Sequence, residues 1–199
     1  MTRLAPLDRE DLPQFEDRFK KMEENIGYVP ETLFLLGRRP AVLASFLDMM
    51  LAVWNDGTVD SGLKSLVGMM SSQAAGCRYC EAHQAFRAAQ LGTSEEKLAD
   101  LWEFETSPAF SEAERAALRL ARDSSVLPNL VTPEHFEELA RYYSADEVVE
   151  LMSVISAFGF LNRWNDSLAT TLEPVPTAFA SRVLGPDWNP GRHAPAADA

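Results

Sequence analysis

Cysteine and histidine are scarce in this chain, which has two cysteines and three histidines among 199 residues. Two cysteines are too few for the disulfide framework of a small secreted domain. No apolar run approaches the roughly 18–20 residues that a bilayer-spanning helix needs. The acidic N-terminal sequence lacks the uninterrupted apolar stretch of a signal peptide. These absences predict a cytoplasmic protein, in which a close thiol pair is more often catalytic or metal-binding than structural.

Basic residues are also few, with 18 lysines and arginines against 30 aspartates and glutamates and a formal net charge of −12. Nucleic acids and anionic membrane surfaces recruit basic patches, so the charge balance argues against both as partners. The apolar share of 46% is enough to bury a sizeable core in one domain. The acidic excess is interpreted as a solvated surface.

Period-2 strand patterns are missing too, and the sequence is helical in pattern nearly throughout. A first helix is expected over 8–27, and the longest, over 146–171, is apolar on more than one face and is expected at the centre. Capping residues predict the other boundaries. Starts are expected at Pro40, Ser61, Thr93, Ser111, Thr132 and Ser144, and stops at Gly27, Gly76 and Gly92.

The expected architecture is therefore an all-α single domain. It comprises an N-terminal helical extension over 1–39, a core over 40–173 and a Pro/Ala-rich tail over 174–199, which is either loose or packed against another subunit. Stretches 63–76 and 148–161 share helical spacing and a small residue near the end. That likeness fits either an internal helical repeat or the chance alignment of two amphipathic helices.

Both cysteines and one histidine lie within seven residues, in the sequence AAGCRYCEAHQAF. Residues three apart share a helix face, so the Cα atoms of Cys77 and Cys80 are expected roughly 5–6 Å apart, within reach of a disulfide. Such a small loop adds little stability, and reversible oxidation explains the pair better than a structural bridge does. His83 lies about one turn beyond Cys80 and is placed to handle its proton. The spacing nominates Cys80 as the attacking thiolate and Cys77 as the resolving partner, although the helix terminus alone favours Cys77.

The motif also has other possible uses. The cysteines could be small buried hydrophobes. A zinc site lacks a nearby fourth ligand, and covalent haem attachment needs a histidine where Glu81 stands. A thioredoxin-like site needs a strand before the motif. Neither a metal nor a cofactor is therefore expected.

With these residues the sequence resembles the carboxymuconolactone decarboxylase and alkylhydroperoxidase (AhpD-like) family, in its peroxidase-related branch. The C-x-Y-C-x-x-H motif after Ala-Gly, the preceding helix LKSLVGMMSSQ and the later FGFLNRWND carry the resemblance, over about residues 40–170. The resemblance implies an AhpD-like helical fold, a homotrimer or homohexamer, and a thiol peroxidase that works without haem, flavin or metal. It also implies that Cys80 is attacked by peroxide and that Cys77 resolves the product.

Two positions depart from the pattern of the family. The histidine of well-studied members falls where this chain has Gln84, and their relay glutamate falls where it has Ser65. Both histidine positions share one helix face, so a base is expected to survive, but serine cannot replace the carboxylate. Relay or pocket candidates elsewhere are Tyr79, Glu81, Glu150 and Asp166, although both Glu150 and Asp166 fit an ion pair or a helix surface better. Activity is expected to be weak without that glutamate.

The leading functional hypothesis is thus a peroxidase that reduces hydroperoxides and is regenerated by an external dithiol of thioredoxin or lipoyl type. One alternative is a redox-sensing or partner-binding protein that forms the same disulfide without turnover. Another is a cofactor-free decarboxylase of a lactone acid, which would use a cation such as Arg78, Arg87 or Arg163 to hold its substrate.

Overall fold

The computed structural model describes residues 2–195, and within that range it is all helical, with no strand. The prediction of an all-α single domain is confirmed. The helices are α1 Glu16–Ile26, α2 Glu31–Leu36, α3 Pro40–Asn55, α4 Ser61–Ala75, α5 Arg78–Gln90, α6 Glu95–Ala99, α7 Glu112–Ser125, α8 Pro133–Leu139, α9 Ala145–Leu168 and α10 Pro174–Val183. No helix in the described range is long and apolar enough to cross a bilayer.

Most helix boundaries follow the capping residues, and two starts are shifted by one position. Ser111 and Ser144 form the predicted capping boxes of α7 and α9. In contrast, α4 is capped by the Asp60 carboxylate, which accepts from the Leu63 amide at 3.1 Å. Ser94, rather than the preceding threonine, caps α6. In both cases the neighbouring polar residue carries the acceptor that reaches the free amide.

The first helix is shorter than predicted. Two 3₁₀ turns, Arg9–Asp11 and Pro13–Phe15, precede α1. Proline lacks an amide hydrogen and clashes with the preceding turn, so Pro13 interrupts the helical pattern that the sequence suggested. At the other end, Gly27 adopts φ 89° and ends α1 as predicted.

Helix α4 is at the centre of the molecule and packs against α5, α7 and α9. A Cβ atom on Gly68 of α4 would lie 2.7 Å from Cε2 of Phe158 on α9, so glycine permits this close approach. Phe158 is in turn buried, as are Leu151 and Val154 on α9, whereas Val149 and Phe160 on the same helix are exposed. The longest helix was expected at the centre, but it is buried on one side only and α4 takes the central position.

A buried ion pair fixes the loop between α3 and α4 against α9. Glu150 lies 3.1 Å from the Lys64 ammonium and accepts from the amides of Thr58 and Val59 at 2.8 and 3.0 Å. Lys64 also donates to two main-chain carbonyls of the loop. Burial alone would raise the pKa of Glu150, but these hydrogen bonds and the lysine charge lower it. Glu150 is thus a loop anchor and lies away from the thiols, so it is not part of a proton relay.

Replacing Glu150 with alanine is expected to lower the free energy of unfolding by about 3 kcal/mol, because it leaves the buried Lys64 charge without a counter-ion. Urea denaturation followed by circular dichroism measures the change. The matched control is Glu95→Ala, which removes one partner of the exposed Glu95–Arg182 pair and is expected to leave the midpoint unchanged. A Glu150→Ala midpoint equal to that of the control would contradict the anchoring role.

The C-terminal segment packs onto the helices of its own chain. Helix α10 lies against α5, and the side chains of Trp188 and His193 are buried. Arg192 pairs with Asp166 on α9 at 2.8 Å. Residues 184–195 are therefore held by this chain itself, and the rest of the predicted tail, 196–199, lies outside the described residues.

Candidate thiol site

The thiol motif occupies the junction between α4 and α5. Gly76 adopts φ 75° and ends α4, which turns the chain so that a new helix can begin. Cys77 is the N-cap residue of α5, with φ −91° and ψ 98°, and Cys80 lies in the first turn. Both thiols are free and buried. The local sequence thus places the two sulfurs where unpaired helix amides favour negative charge.

A cavity of about 510 Å³ opens beside the motif, and Cys80 lines it whereas Cys77 does not. Its walls come from α1, α2, α3, α5 and α9. They are mostly apolar, with Phe46, Leu47, Trp54, Phe86, Phe158 and Leu161 among them. A molecule in this cavity therefore meets the sulfur of Cys80 first. The residues of α1 and α2 that complete it belong to the segment 1–39, which the sequence suggested only as an extension.

The surroundings of the two thiols shift their pKa values in opposite directions. A hydrogen bond from Cys80 and the proximity of His193 lower the pKa of Cys77 to about 6, although burial opposes the shift. Burial, followed by the hydrogen bond and charge of Cys77, raises the pKa of Cys80 well above its ordinary value. These directions favour the thiolate on Cys77, whereas the spacing in the sequence predicted it on Cys80. Proton transfer from Cys80 to Cys77 would create a thiolate at the cavity.

Asn165 supports charge on the cavity-facing sulfur. Its amide Nδ2 donates to Cys80 Sγ at 3.4 Å, and its Oδ1 accepts from the Thr32 hydroxyl at 2.5 Å. Because the threonine hydroxyl donates to the amide oxygen, the amide is oriented with its nitrogen towards the sulfur. A donor at this position stabilises a thiolate on Cys80.

A carboxylate that sequence reasoning missed, Glu173, lies beside the motif histidine. His83 Nε2 lies 2.6 Å from Glu173 Oε2, and Tyr79 donates to the other carboxylate oxygen at 2.9 Å. The Glu31 amide also donates to that second oxygen, at 2.6 Å. Burial would raise the pKa of Glu173, but the His83 charge and these hydrogen bonds lower it, so the group stays ionised. The only sequence signal for Glu173 is its position before Pro174, as the residue that precedes α10.

A tyrosine links this pair to the cavity. The Tyr28 hydroxyl lies 3.4 Å from His83 Nδ1, and the two rings meet edge-on. Tyr28 and His83 both line the cavity. Burial, with the Glu173 charge adding to it, raises the pKa of Tyr28, which therefore remains a proton donor. The hydrogen-bonded series Tyr28–His83–Glu173 can carry a proton between the cavity and the carboxylate.

The other candidates from the motif take up different positions. Tyr79 stacks on His83, with ring centroids 4.4 Å apart. Gln84 lines the cavity, and its buried Oε1 has no hydrogen-bond partner. Ser65 is buried on α4 and donates to the Ser61 carbonyl at 3.1 Å, so it takes no part in the series.

Glu81 and Asp166 hold the C-terminal segment rather than face the cavity. Glu81 accepts from Arg78 at 2.7 Å and from the Trp188 indole at 3.1 Å. Asp166 pairs with Arg192 and lies 3.6 Å from His193 Nε2. These contacts place Glu81 and Asp166 on the side of the motif covered by the C-terminal segment.

The three arginines considered for a carboxylate substrate are scattered. Arg87 lines the cavity, whereas Arg78 pairs with Glu81. Arg163 lines a separate depression of about 690 Å³ that has both polar and apolar walls. Among residues 2–195, no three His, Cys, Asp or Glu side chains converge as metal ligands would.

The helical fold and the Cys-x-x-Cys motif at the start of α5 define the class of protein. Residues 40–123 match the model of the carboxymuconolactone decarboxylase family, and a relative 36% identical to this chain aligns over nearly its whole length. The chain belongs to this family, and its fold is AhpD-like.

That relative is the debrominase Bmp8, in a cysteine-to-alanine variant bound to 2,3,4-tribromopyrrole. The alignment covers 92% of this chain and 98% of Bmp8, with a TM-score of 0.86. The uncharacterized protein YnjA of Escherichia coli is 28% identical over 135 residues, which are 66% of this chain and 73% of YnjA. An uncharacterized peroxidase-related protein with an AhpD core from Ralstonia eutropha is 18% identical, covers 90% of this chain and 95% of its own, and has a TM-score of 0.79. This last likeness supports the fold alone.

Proposed function

We propose that the protein is a thiol-dependent oxidoreductase that reduces a small apolar electrophile in the cavity and forms a Cys77–Cys80 disulfide. The observation that carries the proposal is that Cys80 lines an apolar cavity while its sulfur lies within hydrogen-bond reach of the buried Cys77. Cys80 thus lies at the cavity wall, and Cys77 is next to it on the side away from the cavity lining. A disulfide cycle needs a nucleophilic sulfur that meets the substrate and a second sulfur beside it, and Cys80 and Cys77 fit these two roles.

The first proposed substrate is an organic hydroperoxide. The Cys80 proton passes to Cys77, and the Cys80 thiolate attacks the terminal peroxide oxygen. The O–O bond breaks, Cys80 becomes a sulfenic acid, and the departing alkoxide takes a proton from the Tyr28–His83–Glu173 series to leave as alcohol. Two electrons pass from sulfur to oxygen, and the apolar walls suit an alkyl or aryl group.

Disulfide formation completes the oxidative half of the cycle. Cys77 loses its proton and attacks the Cys80 sulfur, the S–O bond breaks, and hydroxide is protonated to water. An external dithiol of thioredoxin or lipoyl type then reduces the disulfide and leaves as a disulfide itself. The predicted homotrimer or homohexamer is part of the same proposal.

The second candidate substrate is a brominated aromatic ring, and the likeness to the debrominase Bmp8 favours it. The apolar, partly aromatic walls fit a flat ring of that size. Here the carbon–bromine bond is replaced by carbon–hydrogen. The pair of one thiol and one thiolate supplies two electrons, and its single proton forms the new carbon–hydrogen bond. The products are the debrominated ring, bromide and the disulfide. Both reactions use the same two sulfurs and differ only in the bond that breaks.

The deciding experiment supplies the reduced protein with excess dithiothreitol and, separately, cumene hydroperoxide, hydrogen peroxide and 2,3,4-tribromopyrrole. Loss of peroxide or release of bromide is followed over many equivalents, and free thiols are titrated in parallel without reductant. Multiple turnovers with cumene hydroperoxide at a higher kcat/KM than with hydrogen peroxide support the first substrate. Multiple turnovers with bromide release support the second.

Two other outcomes would overturn the oxidoreductase proposal. Loss of two thiols per chain in a single round, without further turnover in dithiothreitol, would instead indicate a redox sensor. Retention of both thiols with every electrophile would show that the pair is structural.

A further inference from the structure

A second histidine lies beside the thiol pair, in the C-terminal segment. His193 is 1% exposed. The centroid of its ring lies 5.7 Å from that of Tyr79, the residue between the two cysteines in the sequence. Its main-chain carbonyl accepts from the Leu172 amide at 2.9 Å, which ties the segment to the end of α9. Nothing in the cavity chemistry uses this imidazole.

The hydrogen bonds of His193 fix which ring nitrogen is basic. Nδ1 lies 2.8 Å from the Thr170 carbonyl, and a carbonyl only accepts, so Nδ1 carries the hydrogen. In the neutral ring Nε2 therefore holds the lone pair. That nitrogen is buried and without a hydrogen-bond partner, and the Asp166 carboxylate lies 3.6 Å away. A protonated ring would gain an ion pair with Asp166.

His193 lies next to the part of α5 that carries Cys77. Its ring centroid is 5.7 Å from that of Tyr79, and its proximity is among the causes that lower the pKa of Cys77. His83, in contrast, lines the cavity and is bound to Glu173. Each of the two histidines thus has its own carboxylate, Glu173 for His83 and Asp166 for His193.

We propose that His193, supported by Asp166, is a second base, which removes the proton from Cys77 when that sulfur closes the disulfide. The inference rests on the proposed function, because it concerns the step after Cys80 has been oxidised. At that stage Cys77 holds the proton received from Cys80. Nε2 of His193 accepts it, the S–S bond forms as the Cys80 S–O bond breaks, and the departing hydroxide becomes water. In this scheme His83 takes part only in the earlier step, in which the substrate is reduced.

The test is a single-turnover experiment on the full chain with His193→Asn. The asparagine amide can still donate to the Thr170 carbonyl but offers no basic nitrogen near Cys77. Reduced protein is mixed with cumene hydroperoxide. Oxidation of Cys80 is followed by dimedone labelling and mass spectrometry, and disulfide closure by loss of the second thiol. We expect the first phase to stay within about threefold of the wild type and closure to slow by about 10²-fold, so that the dimedone adduct accumulates.

The pH profile separates a base from a merely structural residue. The charged and titratable groups facing the ring are Asp166 from α9, Arg192 beside it, and Cys77 and Tyr79 from α5. In the wild type closure is expected to depend only weakly on pH above neutrality, because His193 removes the proton from Cys77. In His193→Asn it is expected to rise tenfold per pH unit towards the ordinary thiol range.

Two further variants complete the test. Asp166→Asn should slow closure by about tenfold, and it replaces His193→Asn as the test variant if His193→Asn does not fold. Arg182→Ala removes the exposed ion pair with Glu95 and leaves His193, Asp166 and their partners in place, so it should close at the wild-type rate. Equal closure rates and equal pH profiles in His193→Asn and the wild type would overturn the inference. Failure of the wild type to form any disulfide would instead overturn the proposed function.

Discussion

Replacing Cys80 with serine is expected to abolish turnover with hydroperoxide or bromopyrrole, a loss of at least about 10³-fold in kcat. Cys80 is the sulfur that lines the cavity, and a serine hydroxyl is neither a comparable nucleophile nor an electron donor. Replacing Cys77 should give a different result: one slow oxidation that stops at the sulfenic acid of Cys80. Turnover assays with dithiothreitol and dimedone trapping measure the two outcomes.

The pair of variants also tests which sulfur attacks. Cys77 has the lower pKa, so charge alone would make it the nucleophile, whereas access to the cavity favours Cys80. A Cys80→Ser variant that still accumulates one sulfenic acid, together with a Cys77→Ser variant that is inert, would reverse the assignment. Retained thermal stability in both variants shows that the effect is chemical.

Replacing Glu173 with glutamine is expected to lower kcat/KM by about 10²-fold, because the charge that holds His83 as a proton carrier is lost. The change is nearly isosteric, and the amide oxygen can still accept from the Tyr79 hydroxyl and the Glu31 amide. The fold should therefore persist, which circular dichroism would verify. Steady-state kinetics across pH 5–9 measure the loss.

The matched control for this variant is Glu95→Gln. Glu95 is an exposed carboxylate on α6 that pairs with Arg182 on α10. The substitution therefore removes one negative charge beside α10, as Glu173→Gln does, without altering a contact of His83. Its kcat/KM should equal that of the wild type. If Glu173→Gln were as active as this control, the carboxylate would have only a structural role and the proton series from Tyr28 would need another acceptor.

Local sequence was sufficient for most of the helical framework. Helix starts at Ser111 and Ser144 and the stop at Gly27 depend on hydrogen bonds and backbone angles within a few residues, so they were predicted correctly. The shifts at α4 and α6 arose because two adjacent residues could each cap the helix. The interruption at Pro13 shows the opposite case, where periodic apolar spacing concealed a residue that the helix cannot accommodate.

The thiol motif could be found from the sequence, since Cys77 and Cys80 are three residues apart at the start of α5 and His83 follows one turn after Cys80. The different roles of the two sulfurs could not be found in this way. The pKa of Cys77 is lowered and that of Cys80 is raised because their burial and contacts differ, and those depend on what packs above the motif.

The carboxylate, the cavity and the second histidine were decided only by the tertiary structure. Glu173 is 90 residues from His83 in the chain, and its role exists only because the start of α10 meets α5. The cavity walls come from helices whose apolar faces look, in sequence, like any others that pack a core. His193 reaches Cys77 because the C-terminal segment folds back over α5 and α9. Sequence spacing fixes contacts within a helix, whereas contacts between distant segments depend on how the helices pack, which no local pattern encodes.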